Sequence, residues 1–307
     1  LISCAPEMLE SLKEVYNYGE QISVDTTIVP SAATNAHYTV DLKCGSSVSY
    51  NIYNSFFIIP ASTEKSVVVA TELLEPILDN ITDPCFLRAT FGSEVASSNS
   101  FTLSNVIDVT GGLEFDTLNP ENTFDISGNA ITRSGLPVDG FAELFIPALD
   151  IYSSTVISNG IFNISLLLSP NVKSGEHNFT VKIYNTDHNS RKINFGSYYG
   201  TFTVNQVLKG VNIKVNSESV KPDSEFVFRI DAVDQAGDPI IRDINLVVNQ
   251  PKGIPFIKQI IKSGEDQKMN FLLNDTPGYW SIETDVDGIV GRKLFYIPES
   301  NTLQTSL

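Results

Sequence analysis

A chain of 307 residues is too long for one sandwich-sized core and suits two or three domains. Its 42% hydrophobic and 18% charged residues, with glycine and proline spread along the length, argue against long disorder and low-complexity tracts. A formal charge of -16 disfavours phosphate-backbone binding, so nucleic acid is not an expected partner, and no run of about 20 apolar residues offers a membrane span.

The first stretch, "LISC", reads as a processed end or as a piece of a longer precursor. It resembles the close of a signal peptide and, loosely, a lipobox in which Cys4 carries the lipid. A free thiol or an intermolecular disulfide at Cys4 are the other readings. Helical spacing is confined to "APEMLESLKEV" (5–15), which allows one or two turns. From there the chain alternates apolar and polar residues in short runs: "QISVDTT" (21–27), "VSYNIY" (48–53), "KSVVVATEL" (65–73), "NFTVKIY" (178–184) and "WSIETDV" (280–286). Bounded by Gly, Pro, Asn and Asp, such runs predict half-buried antiparallel strands. Two of the strands, "SFFIIPAS" (55–62) and "KSVVVATELL" (65–74), are apolar enough either to accept a partner strand or to be inner strands of a sandwich.

One turn is written twice. "SGLPVDGFAELFI" (134–146) returns as "AGDPIIRDINLVV" (236–248), and Pro120 and Pro222, Gly135 and Gly237, Pro137 and Pro239 share one offset of 102 residues, 222 minus 120. A constant offset marks a repeated unit. About one interval further back lie "YGEQISV" (18–24) and "YTVDLKC" (38–44). There Val40, Leu42 and Cys44 align with Ala142, Leu144 and Ile146, and with Ile244, Leu246 and Val248. The units also close alike, on "SFTL" (100–103), "TFTV" (201–204) and "KLFYI" (293–297). Three domains are therefore expected, 1–105 with a cysteine pair, 106–206 with a long loop and 207–298, followed by a tail or linker at 299–307. About seven strands in about 100 residues is the pattern of an immunoglobulin-like sandwich. The expected fold class is all-β: three tandem immunoglobulin-like β-sandwich domains with very little helix.

Here a resemblance can be named. The succession "NPENTFDISGNAITRSGLPVDGFAELFI" (119–146), an alternating strand, "SGEHNFTVKIYN" (174–185) and a closing "GTFTV" (200–204) resembles the tandem immunoglobulin-like modules of large archaeal and bacterial cell-surface proteins. The resemblance runs from 106 to 298, and "VYNYGEQISV" (15–24) with its Cys-bearing strand is similar to the membrane-distal start of the archaeal examples. It implies an extracellular, load-bearing or adhesive protein and carries over no catalytic residues.

Cys44 is in phase with Val40 and Leu42, and Cys85 with Leu87, Ala89 and Phe91, so both side chains are expected inside one repeat, where they can meet. A disulfide across their separation of 41 residues (85 minus 44) would stabilise the repeat by about 4 kcal/mol and require an oxidising compartment. The alternative is two buried thiols of a cytosolic protein. In the third repeat the corresponding places are read as filled by Val248 and Trp280.

Four Asn-x-Ser/Thr sequons stand at Asn80, Asn163, Asn178 and Asn274, about the number that composition supplies by chance. Asn80 and Asn274, in turns ahead of strands, are the better glycan candidates. The histidines, His37, His177 and His188, stand in no zinc-ligand or nucleophile motif. No cofactor is expected, calcium being the one left open. Asp231, Asp234 and Asp238 surround a turn and Asp285 with Asp287 precede a hairpin, though solvated acidic turns explain both groups as well. Between two strands of the middle repeat, "NTDHNSRKINFGSYY" (185–199) reads either as a long loop bearing His188, Arg191, Lys192, Phe195, Tyr198 and Tyr199, a basic and aromatic candidate binding surface, or as an elongated hairpin whose aromatics pack on its own sandwich.

These readings predict a non-enzymatic extracellular structural protein, a component of a cell-surface layer, stalk or filament. Its expected partners are other copies of itself or neighbouring surface proteins, with glycans as a further class. The alternatives are an adhesin or ligand-binding ectodomain using the 185–199 loop, and the scaffold fragment of a larger surface enzyme.

Overall fold

The computed structural model describes residues 6–8, 11–46, 48–74, 81 and 83–299. Among these the protein is all-β, and the helical elements are two 3-10 turns, Pro147–Leu149 and Pro251–Gly253. The chain divides into two compact units, one of Leu1–Glu114, Asp125–Ser165 and Asn178–Gly200, the other of Phe115–Phe124, Leu166–His177 and Thr201–Leu307. Residues 106–206 are therefore distributed over both units.

The first unit opens with β1 (Glu7–Met8), β2 (Val15–Asn17) and β3 (Gln21–Ile28). Then follow β4 (Thr34–Cys44), β5 (Val48–Ile59), β6 (Lys65–Glu72), β7 (Cys85–Phe91), β8 (Glu94–Ser97) and β9 (Thr102–Ser104). They form a β1-β3-β6 sheet, a β5-β4-β7-β8 sheet and a β2-β9 pair. Period-two alternation decides which side chains meet: Ile22, Val24 and Ile28 of β3 and Val40, Leu42, Leu87, Ala89 and Phe91 of β4 and β7 are buried in one core. The same unit continues into β10 (Ile107–Leu113), β13 (Gly140–Ile146) and β14 (Ile151–Ile157), and into β12 (Thr123–Thr132), β15 (Ile161–Leu167), β16 (Gly175–Thr186) and β17 (Lys192–Val204), apart from residues 123–124, 166–167, 175–177 and 201–204, which belong to the second. With β11 (Thr117–Leu118), these strands make the sheets β10-β12-β15 and β11-β17-β16-β13-β14.

The second unit contains β18 (Leu208–Val215), β19 (Ser224–Asp234), β20 (Pro239–Ile240), β21 (Asp243–Asn249), β22 (Pro255–Lys262), β23 (Asp266–Phe271), β24 (Gly278–Val286) and β25 (Ile289–Ile297). One sheet runs β18-β19-β20 with β23 also paired to β19, and the other runs β22-β21-β24-β25. Their shared core is aromatic: the Phe226 and Phe295 rings lie 4.4 Å apart and Phe271 meets Trp280 at 5.1 Å. Fully burying a side chain of this size contributes about 1.5–3 kcal/mol. Trp280 is wholly buried because its Nε1–H finds the Thr276 carbonyl at 2.9 Å.

A recurrence in chain order links the segments. β2 pairs in parallel with the closing strand β9, β11 pairs in parallel with the end of β17, and Ser219 bridges in parallel to Tyr296 of β25. Three times an opening segment returns to lie beside the strand that ends the same stretch of sequence.

Two expectations are corrected. The described residues of 5–15 hold no helical turn: the N–H and C=O of Leu12 bond the Asn99 side chain and the Glu14 carbonyl accepts from Thr102, so β9 and its approach take the groups a helix would use internally. In the third repeat Val248 stands opposite Ile282, not Trp280, which lies two positions along β24.

Candidate functional site

The repeated turn has the same hydrogen bonds in both copies. At 132–136, Thr132 N donates to Leu136 O (2.8 Å), Gly135 N to Thr132 O (2.9 Å), and Leu136 N to Thr132 Oγ1 (3.0 Å). At 234–238, Asp234 N donates to Asp238 O (2.8 Å), Gly237 N to Asp234 O (3.0 Å), and Asp238 N to Asp234 Oδ1 (2.9 Å). Gly135 and Gly237 sit at φ 92 and 86, the left-handed region in which a side chain is strained. Each turn then touches segments well before it in the chain.

In the first unit the turn at 132–136 meets residues 17–20. Asn17 Nδ2 donates to Val106 O (2.9 Å) and Asn194 Oδ1 (3.1 Å), while Asn17 Oδ1 accepts from Ser134 N (3.1 Å). Asn194 Nδ2 donates to Tyr18 O (2.8 Å) and Asn185 Oδ1 (2.9 Å). Both amides are 0% exposed, and every donor on them is used. Around them, Ser134 Oγ bonds Glu20, which Lys13 approaches to 3.4 Å, and Ile193 joins the first core. Gly19 permits the approach, since a Cβ there would stand 2.7 Å from Ile193 Cδ1.

In the second unit the turn at 234–238 meets residues 172–174 and 205–207. Asp234 Oδ2 accepts from Ser174 Oγ (2.8 Å) and Gln206 Nε2 (3.1 Å), and Asp234 Oδ1 accepts from Ala236 N and Asp238 N (2.9 Å each). Gln235 Nε2 donates to the carbonyls of Val172 and Asn205 (3.1 Å each), and its Oε1 accepts from Val207 N (2.9 Å). Asp234 is buried. Burial opposes its charge, but the Ser174 and Gln206 donors and the two turn N–H groups outweigh that penalty and hold the carboxyl below the ordinary aspartate range. Both turns are clasps, one around a neutral amide pair and the other around a carboxylate.

Cys44 and Cys85 form a disulfide, with S–S 2.05 Å and the two Cα atoms 4.1 Å apart. They are directly opposed neighbours on β4 and β7 of one sheet. The Cys85 backbone bonds Phe101 on its other side, so the pair facing Cys44 is of the close, non-hydrogen-bonded kind.

The segment 185–199 takes the hairpin form: β16 and β17 extend through it and the turn occupies 187–191. Asp187 closes that turn, accepting from Asn189 N (2.8 Å), Arg191 N (2.9 Å) and Arg191 Nε (3.1 Å). The six candidate binding residues differ in exposure and partners. His188 and Arg191 are exposed at the turn, Lys192 Nζ lies 3.5 Å over the Tyr184 ring, and Phe195 is tied through its N–H to Asn105 O at 2.7 Å. Tyr198 packs on Phe179 at 6.0 Å, and Tyr199 is exposed. The consecutive buried residues Ile193 and Asn194, which no sequence pattern singled out, are the ones that reach the first clasp.

The calcium candidates do not converge, and among the described residues no three His, Cys, Asp or Glu side chains group to hold a metal. Asp231 is engaged by Lys214 and Arg229 (2.7 Å each), Asp234 by the second clasp, and Asp285 by Gly288 N (2.9 Å). Asp238 lends its backbone to the second turn and Asp287 sits in a hairpin at φ 50. Of the sequons, Asn163 and Asn178 are exposed on β15 and β16, and Asn274 is exposed in the turn between β23 and β24. Asn80 and Cys4 lie outside the described residues. No described helix is long and apolar enough to cross a membrane.

Fold and site define an all-β protein of several sheets with almost no helix. No family model and no curated protein matches the sequence. Among solved structures, the native conformation of E. coli alpha-2-macroglobulin is similar with TM-score 0.25 and 12% identity, over 98% of this chain and 23% of that one. The chain thus spans less than a quarter of that protein, and a likeness of this size carries no argument about what this chain does.

Proposed function

We propose that this chain is a non-enzymatic structural scaffold of three immunoglobulin-like β-sandwiches, working outside the cell in a surface layer, stalk or filament. The sheets support the count: β1-β3-β6 with β5-β4-β7-β8, then β10-β12-β15 with β11-β17-β16-β13-β14, then β18-β19-β20 with β22-β21-β24-β25. The observation that carries the reading is the repeated clasp. A buried, fully satisfied hydrogen-bond network between consecutive repeats restricts hinge motion, which suits a chain whose task is to hold a spacing. The Cys44–Cys85 disulfide supports an oxidising, extracellular address.

Immunogold labelling of intact cells tests the reading, together with mass spectrometry of peptides alkylated before reduction. The expected result is label on unpermeabilised cells, in an ordered layer or fibre, with Cys44 and Cys85 linked. Label that appears only after permeabilisation, on protein with both thiols free, contradicts it.

A further inference from the structure

β14 is an edge strand of the sheet β11-β17-β16-β13-β14, hydrogen-bonded among the described strands to β13 alone, and its register with β13 is unbroken from Ile151 to Ile157. An exposed, regular edge offers a row of unpaired N–H and C=O groups, which proteins usually blunt with charge, proline or a bulge. Four other edges carry such devices. β5 has a bulge beside Asp41, β22 has Pro255, Lys258 and Lys262, β25 has Arg292 and Lys293, and β18 has Lys209 and Lys214. β14 has none, and no Asp, Glu, Lys or Arg occurs between Asp150 and Lys173 in a chain of net charge -16. β15, in the same uncharged stretch, borders an open groove in which Glu114 and Asp125 stand beside Asn163, so a copy approaching there would meet like charges.

The outward face beside β14 is apolar and held in place. Tyr152 is 64% exposed and Val156 66%, backed across β13 by the exposed Phe145 and Phe141. Glu143, opposite Ser154 on β13, accepts from the Tyr184 hydroxyl (2.9 Å) and faces Lys192 (3.5 Å). Its charge is therefore matched locally.

We propose that a second copy of this chain pairs with β14, edge to edge and antiparallel, about a two-fold axis at Ser154. An antiparallel edge is its own complement under such an axis. Ser154 is the midpoint of β14, so the pairing sets Ile151 against Ile157, Tyr152 against Val156, Ser153 against Thr155 and Ser154 against itself, and Asp150 meets Ser158. No like charges are opposed anywhere along the strand, which is the condition two strongly acidic copies need in order to approach. The inference deepens the scaffold reading by naming one partner.

Sedimentation equilibrium of the full chain over a concentration series tests it. The wild type is expected to dimerise, and Ser154→Lys, an exposed change that sets two lysines against each other, to weaken the dimer at least about tenfold with an unchanged circular dichroism spectrum. In a Cys4→Ser background, Ser154→Cys is expected to form a disulfide-linked dimer through residue 154 on mild oxidation, and Lys258→Cys on β22 is not. A wild type that stays monomeric across the series, or a Ser154→Lys variant that dimerises like the wild type, overturns the proposal. A monomer that nonetheless labels the surface of intact cells removes this partner and leaves the scaffold reading standing, whereas a dimer confined to the cytoplasm does the reverse.

Discussion

At the first clasp the turn starts on Thr132 and encloses a neutral pair, Asn17 with Asn194; at the second it starts on Asp234, whose carboxylate, with the Gln235 amide beside it, takes the place of that pair. The backbone hydrogen bonds of the two turns agree to within about 0.1 Å. What differs is the means of satisfying buried polar groups. A neutral pair responds only to loss of a partner, while an ionised one also responds to pH, so the same turn yields two joints of different sensitivity.

The largest effect separating the clasps is expected from Asn194→Ala, which orphans Asn17, Tyr18 O and Asn185 at once. It should cost the first unit about 3 kcal/mol, read as a lower denaturant midpoint, and do so equally at pH 7 and pH 4. Next is Asp234→Asn, which turns an amide donor toward Gln206 or toward the turn N–H groups and should cost about 2 kcal/mol. The same variant sharpens the pH contrast. A carboxyl whose folded pKa lies below its ordinary value of 3.8 contributes stability that is present above that value and is lost as pH falls through the depressed one. The wild-type advantage over Asp234→Asn should therefore shrink on acidification below about pH 4, a trend that paired acid titrations followed by intrinsic fluorescence can measure. Smallest are Gly135→Ala and Gly237→Ala. Neither Cβ meets an atom within 4 Å, so only the positive φ is penalised, by about 1 kcal/mol at each turn. Unequal thermal shifts for the two would break the equivalence of the turns.

Much of the fold was legible because strand alternation is a local property: "QISVDTT" and "WSIETDV" show the period in their own letters and form β3 and most of β24. The turn at 134–138 was legible because its glycine and proline recur at a fixed offset. The clasps were less so. Thr132 and Asp234 also fall at that offset, each with a side-chain oxygen able to accept from the turn, and this was the available signal; their partners Asn17 and Asn194 lie 177 residues apart and share no pattern. The 185–199 segment shows its length in the sequence, but what distinguishes a docked hairpin from a free loop is the burial of Ile193 and Asn194 against residues far away in the chain. The helical spacing of 5–15 misled for the same reason, since Asn99 and β9 compete for its backbone.

The central claim is that each copy of the turn is fastened to segments well before it in the chain. Amide hydrogen exchange of the full chain, compared between wild type and Asn194→Ala, tests it most directly. Protection is expected to fall together at 17–20, 104–106 and 132–136 and to stay unchanged at 234–238; a loss confined to 185–195, with 17–20 and 132–136 as protected as before, contradicts it.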